Sequence, residues 1–270
     1  MTVELHADAP GCREDLAGLP QRLASRSSRH RPEWRRAVGA MRALLEDSDS
    51  TEHAFMVAYY LDGDMAGRRL ERFLEHPEGR RLYFERPPLM AVVKDREALA
   101  AMPDGSFGRA YLSYLDANGY DPVALSELRK QTDPVADRDA GGEWFAERVD
   151  LLHDRWHVLT GYGTDGAGEA ALLPFSLAQY GGRSNALLTL GAGLESWRRL
   201  RGWRWPAYLW RAFRRGRRAA RLDVLRYEEL LPLPLDAVRR AVGLEPPEQA
   251  HPGGVIEMRS EAAARDRASR

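Results

Sequence analysis

The 270-residue sequence predicts an all-α fold built as a single helical domain. Three observations predict it. Apolar residues recur three and four positions apart over most of the chain, the period of an amphipathic helix. No alternating run long enough for a strand occurs. Glycine and proline clusters fall between the periodic stretches, where helices end.

The first helix covers 33–47, with Trp34, Val38, Met41, Leu44 and Leu45 at helical spacing. A second begins near Thr51 and carries Phe55, Val57, Ala58 and Tyr59. A third begins near Met65 and is interrupted by His-Pro-Glu-Gly at 76–79. Pro87-Pro88 breaks the pattern, and a short helix then ends at Pro103 and Gly105. Phe107, Tyr111, Tyr114 and Leu115 form one apolar stripe, ended by Asn118-Gly119. Residues 133–143, "DPVADRDAGGE", read as a flexible connection. Helices follow at about 143–160, 165–181 and 184–200, then an arginine-rich segment and a last helix at about 235–243. The domain organisation read from this pattern is a flexible N-terminus over 1–30, a helical domain over 31–245 and a disordered tail over 246–270. The tail begins with proline-rich "EPPEQAHPGG" and ends in polar sequence with little to bury.

Composition narrows the function classes. Formal net charge is zero, which gives no global argument for nucleic acid as a partner. Lys94 and Lys130 are the only lysines, so an arginine here is the default cation and is not functional by itself. Cys12 stands alone, which excludes an intramolecular disulfide and a cysteine-based metal site. The sequence shows neither a secretory signal nor an apolar run of membrane-spanning length. The expected location is cytoplasmic, with contact at most peripheral to the inner face of a membrane.

The candidate site lies in "HDRWHVLTGYGTDGAGEAAL", 153–172. Phe145, Val149, Leu152, Trp156 and Leu159 form a core-facing stripe, and His153 and His157 each follow a stripe residue by one position. At about 100° per residue, His153, Asp154 and His157 fit one arc of the helix. Gly161 and Gly163 break that helix, and Thr164 is a suitable N-cap for the next. If the two helices form an antiparallel hairpin, Glu169 stands opposite His157. Two imidazoles with one or two carboxylates suit a divalent metal. Zinc is the first choice, and mixed nitrogen and oxygen ligation also accommodates iron or manganese. Asp154 occupies the place of the glutamate in an HExxH motif, but its shorter side chain suits a ligand better than a general base. A histidine pair at this spacing also occurs in cores that hold no metal.

The run from His153 to Leu172 resembles the metal motif of the coenzyme Q (ubiquinone) biosynthesis protein four family: HDxxH, eleven residues, then E. His153, Asp154, His157 and Glu169 match it without gaps. "MPDGSFGRAYLSYL" at 102–115 and "LRYEELLPLPLDAVRRAVGL" at 225–244 are similar to two further segments of that family, so the resemblance covers roughly 50–245. Pro174 and the arginine-rich 198–221 depart from it. The resemblance implies an all-α protein with a bound metal and a pocket for an isoprenoid lipid, acting late in ubiquinone assembly. The implied chemistry is removal of the carboxyl group from a prenylated hydroxybenzoate-type ring with hydroxylation at that carbon, His153, Asp154, His157 and Glu169 being the catalytic metal ligands. Phe107, Tyr111 and Leu115 would line the isoprenoid tail. The implied partners are a prenylated quinone precursor or other isoprenoid lipid, other quinone-biosynthesis enzymes, and a second copy of the chain in a homodimer. Two alternatives stand beside this: a non-catalytic lipid-binding assembly factor, and a metal-dependent hydrolase with a water nucleophile.

Residues 195–223 mix Trp197, Trp203, Trp205, Tyr208, Trp210 and Phe213 with ten arginines. Interleaved aromatics and guanidiniums suit the headgroup layer of an anionic membrane. A solvated helix with its aromatics packed inward fits the same pattern.

Overall fold

The computed structural model describes residues 31–46, 51–62, 65–124, 126–127, 140–200, 204–251 and 254–256. The N-terminus before 31, residues 128–139 with the first part of the 133–143 connection, and the tail beyond 256 lie outside them. Among the described residues the fold is all-α, and no helix is long and apolar enough to cross a membrane.

Helices α1 (Trp34–Glu46) and α2 (Thr51–Asp62) pack on each other and against α11 (Arg183–Leu200), burying Ala37, Met41, Val57, Leu61 and Leu188. Asp62 closes this unit. Its carboxylate accepts from the backbone N–H groups of Arg183 and Ser184, at 2.9 and 3.1 Å, and so satisfies donors that the first turn of α11 leaves open.

Helices α3 (Met65–Glu75) and α4 (Pro77–Glu85) are separate, and the 76–79 segment starts the second. His76 caps it by accepting from the Glu78 N–H, and Pro77 sits at a first-turn position where no backbone donor is needed. After α5 (Leu89–Lys94) and α6 (Arg96–Ala101), Ser106 caps α7 (Phe107–Asn118), accepting from the Arg109 N–H at 3.2 Å.

The single helix expected over 143–160 is two: α8 (Ala140–Asp150) and α9 (Leu152–Thr160), parted at Leu151. The glycines expected in a linker form the first turn of α8. A Cβ on Gly141 would stand 2.2 Å from the Tyr83 hydroxyl, so close packing on α4 is what selects glycine there.

Helix α10 (Gly166–Tyr180) runs through Pro174 and packs against α12 (Arg204–Arg218). The chain closes with a 3₁₀ turn (Leu222–Val224), α13 (Tyr227–Leu230), α14 (Leu235–Ala241) and α15 (Pro247–Ala250). The expectation that the chain loses regular structure at 246 fails for these few residues. The ring of Pro247 covers Gly161, and His251 is buried with Nε2 2.8 Å from the Tyr162 hydroxyl, so tertiary contacts hold α15 despite its prolines. The main core lies between α5–α7, α9, α10, α12 and these C-terminal elements, with Trp156, Phe175 and Tyr227 at its centre. There the Trp156 indole donates to the Tyr227 hydroxyl at 3.0 Å, which donates to the Leu222 carbonyl.

Candidate metal centre

The site forms where α9 ends and α10 begins. Gly161 takes the left-handed conformation, φ 72°, and its N–H donates to the His157 carbonyl at 2.8 Å, ending α9. The cap of α10 is Asp165, whose carboxylate accepts from Ala167 and Gly168. Thr164, the expected cap, instead donates its hydroxyl to the Asn118 side chain at 2.6 Å, tying the turn to α7. Gly168 makes the turn possible, because a Cβ there would stand 1.9 Å from the Gly163 carbonyl oxygen.

Across this turn His153, His157 and Glu169 come together, with one ligand atom from each lying within 4.8 Å of the others. His157 Nε2 is 3.1 Å from Glu169 Oε1, and His153 Nε2 is 3.6 Å from Glu169 Oε2. His157 is buried, whereas the side chains of His153 and Glu169 are 49% and 41% exposed, so the group opens to solvent on one side. The buried His157 Nε2 makes no hydrogen bond of acceptable geometry. Donors at 2.0–2.2 Å from a tetrahedral metal lie roughly 3.3–3.6 Å apart, so these two spacings and the unsatisfied nitrogen suit a divalent ion.

Asp154 is not drawn into the group. Its Oδ1 lies 3.5 Å from Nδ1 of His153, on the ring nitrogen turned away from Glu169. His157 has the same arrangement with a different partner: its Nδ1 is 3.0 Å from the Tyr162 carbonyl oxygen. Each imidazole is therefore held from behind and presents Nε2 to Glu169. Such second partners fix the orientation and tautomer of a metal-binding histidine.

The charges are strongly coupled. Desolvation on its core side opposes a charged His153, but hydrogen bonds to Asp154 and Glu169, with their negative charge, raise its pKa from 6.5 to about 10. Burial likewise opposes ionisation of Glu169, yet the two histidines hold it well below the usual carboxylate range. Tyr114, whose ring stacks on His157 at 5.7 Å, is pushed well up, first by burial and then by the charges of Asp154 and Glu169.

Two arginines that sequence reasoning did not single out hold the end of α9. Arg215 is buried and donates to the Thr160 carbonyl at 2.6 Å and to the Glu245 carbonyl. Arg239 donates to the carbonyls of Leu159 and Val158, both at 2.9 Å. They satisfy acceptors that a helix end leaves open and place positive charge at its negative pole. In sequence their only signal is position: one stands in the arginine-rich segment, the other in the segment after Pro234.

The aromatic residues of that arginine-rich segment divide. Trp205 and Tyr208 are buried in the main core, while Trp210 is 59% exposed and stacks on Phe213. Trp203 lies outside the described residues. Phe107, Tyr111 and Leu115 share the face of α7 turned to the main core and are fully buried.

The family described as "Coenzyme Q (ubiquinone) biosynthesis protein Coq4" matches residues 49–248. The chain is 32% identical over 192 residues to the mitochondrial ubiquinone biosynthesis protein COQ4 homolog of Bos taurus, covering 68% of this chain and 70% of that protein. It is 30% identical over 177 residues to the mitochondrial COQ4 protein of Yarrowia lipolytica, covering 66% of this chain and 65% of the relative. The crystal structure of a Nostoc punctiforme protein shares the fold, with a TM-score of 0.58 and 20% identity, over 79% of this chain and 99% of that one. With residues 49–248 matched by the family and His153, His157 and Glu169 gathered at the turn between α9 and α10, the chain belongs to the Coq4 family of ubiquinone biosynthesis proteins.

Proposed function

We propose that the protein binds one divalent metal, zinc being the first candidate, at His153, His157 and Glu169. The proposed reaction is the oxidative decarboxylation of a prenylated hydroxybenzoate-type ring, with loss of the carboxyl group and hydroxylation at that carbon. The observation that carries this reading is the convergence of two Nε2 atoms and a carboxylate, each imidazole being held by a separate acceptor on Nδ1.

A divalent metal held there would supply Lewis acidity toward a ring oxygen next to the carbon that loses its carboxyl group. The residues do the rest. Tyr162 and Asp154 keep the histidine rings from turning, and the core packed behind His157 keeps water from that side. The half-exposed edges of His153 and Glu169 leave the approach for the ring. Carbon dioxide leaves with the carboxyl carbon, one atom of dioxygen enters at the ring carbon that bore it and the other leaves as water, and the hydroxybenzoate-type ring supplies the four electrons and ends as the quinone. An isoprenoid tail beside Phe107, Tyr111 and Leu115 would have to part α7 from the main core, because all three are buried there. Other quinone-biosynthesis enzymes are the proposed protein partners. The exposed arginines and Trp210 of α12 would meet an anionic membrane that carries the polyisoprenoid precursor.

The test is complementation of a quinone-deficient strain with Glu169→Gln, followed by mass spectrometry of its prenylated intermediates. The expected variant is folded and metal-poor, and it accumulates a ring that still bears its carboxyl group. Normal quinone levels with that variant would exclude a catalytic metal and leave the non-catalytic assembly role.

A further inference from the structure

Arg148, Arg155 and Arg215 are all buried, and two of them are partnered. Arg148 reaches Glu228 and the Leu225 carbonyl, both at 2.7 Å. Arg215 reaches the Thr160 and Glu245 carbonyls. Arg155 is 0% exposed, and its Nε and both Nη atoms have no hydrogen-bond partner among the described residues. Its guanidinium lies over the Tyr111 ring at 4.8 Å and near the Tyr227 ring at 5.9 Å. Ring faces attract a cation but accept none of its five in-plane N–H donors.

The unsatisfied groups continue toward the metal centre. Tyr111 stacks on Tyr114 at 6.5 Å, and Tyr114 stacks on His157 at 5.7 Å. The hydroxyls of Tyr111 and Tyr114, and Nε2 of His157, are likewise buried without a hydrogen-bond partner. A file of rings thus runs from His157 through Tyr114 and Tyr111 to the Arg155 guanidinium, each member carrying an unpartnered polar atom. Asp154, the adjacent carboxylate in sequence, lies against His153. Native interiors rarely leave such groups open, and a buried charge least of all. The guanidinium donors of Arg155 lack an acceptor among the described residues.

We propose that Arg155 anchors an oxyanion of the ligand, a carboxylate or a phosphate, whose body lies along Tyr111 and Tyr114 beside His153, His157 and Glu169. The inference rests on the reading that this site handles an acidic, ring-bearing lipid precursor, and it adds the residue that reads the acid. The planar fork of guanidinium donors matches either oxyanion in bidentate fashion. The flanking tyrosine faces favour a flat aryl carboxylate.

The test is calorimetric titration of the full-length protein with 4-hydroxybenzoate, inorganic phosphate and the uncharged 4-hydroxybenzamide. One of the two anions should bind, and the amide should bind at least about tenfold more weakly, as expected when a charge-assisted hydrogen bond is lost. Arg155→Met should weaken the anion about 10- to 100-fold. Without any probe its thermal midpoint should equal or exceed that of the wild type, because an unpaired buried charge is gone. Arg155→Lys keeps the charge without the fork and should fall between them. A preference for 4-hydroxybenzoate assigns the anchor to an aryl acid, and a preference for phosphate assigns it to a phosphate ester. Equal anion binding by wild type and Arg155→Met, no binding of either anion by the wild type, or a lowered midpoint in Arg155→Met would overturn the proposal. Failure of the catalytic reading is seen separately, in the complementation by Glu169→Gln, which does not involve Arg155.

Discussion

Nδ1 of His157 lies 3.0 Å from the carbonyl oxygen of Tyr162, five residues further along the chain and beyond the end of its helix. A carbonyl only accepts, so Nδ1 carries a proton, and Nε2 is the nitrogen turned toward Glu169. The same tyrosine reaches His251 through its hydroxyl, at 2.8 Å. One residue of the turn therefore orients a candidate ligand with its backbone and holds the C-terminal segment with its side chain.

Asp154 stands to His153 as the Tyr162 carbonyl stands to His157, and this separates an orienting role from a ligand role. Asp154→Asn should bind metal about 10- to 100-fold more weakly in a chelator competition, the usual effect of losing an outer partner. It should still reach about one metal per chain at saturation, whereas His157→Ala should lose the site. If Asp154→Asn is as empty as His157→Ala at every metal concentration, Asp154 is itself a ligand.

His251 gives the fold a dependence on pH. Burial, with the charges of Arg215 and Arg211, lowers its pKa to about 4 from the ordinary 6.5. Between these values the unfolded chain binds the proton and the folded chain does not. The contribution to stability is complete above about pH 6.5 and is lost as pH falls toward 4. Denaturant unfolding followed from pH 7.5 to 4.5 should show this decline, and His251→Gln should flatten it. An unchanged slope in the variant would place the titration elsewhere.

The candidate ligands were legible because their spacing is local: two histidines one helical turn apart and a glutamate one turn past a glycine-marked bend. The residues that set the geometry were not. Thr164 and Asp165 are both good caps, and the choice between them is made by Asn118, which takes the Thr164 hydroxyl from α7. Periodicity carried the 143–160 stripe straight through Leu151 because the side-chain pattern survives the break in the backbone. Arg155 and Arg215 were hidden by the abundance of arginine, since burial of a guanidinium is decided by helices distant in sequence. Pro247 and His251 looked like tail for the same reason: what orders them is Gly161 and Tyr162.

Helix α12 separates two uses of arginine, and that separation can be measured. Arg211, Arg214 and Arg217 are exposed on the helix that also exposes Trp210, whereas Arg215 turns inward to the Thr160 carbonyl. Replacing Arg211, Arg214 and Arg217 with glutamine should weaken sedimentation with acidic vesicles. At about 1 kcal/mol per charge near an anionic surface the loss is on the order of 100-fold, and it should shrink as salt rises. The thermal midpoint should hardly move. Trp210→Ser should weaken vesicle binding further by removing the exposed ring. Arg215→Met should do the reverse: vesicle binding by the folded protein persists, while stability falls by about 2–4 kcal/mol because two carbonyls lose a charged donor. Equal sedimentation with neutral and acidic vesicles would remove the membrane role from this surface. A wild-type midpoint in Arg215→Met would show that the end of α9 does not depend on that arginine.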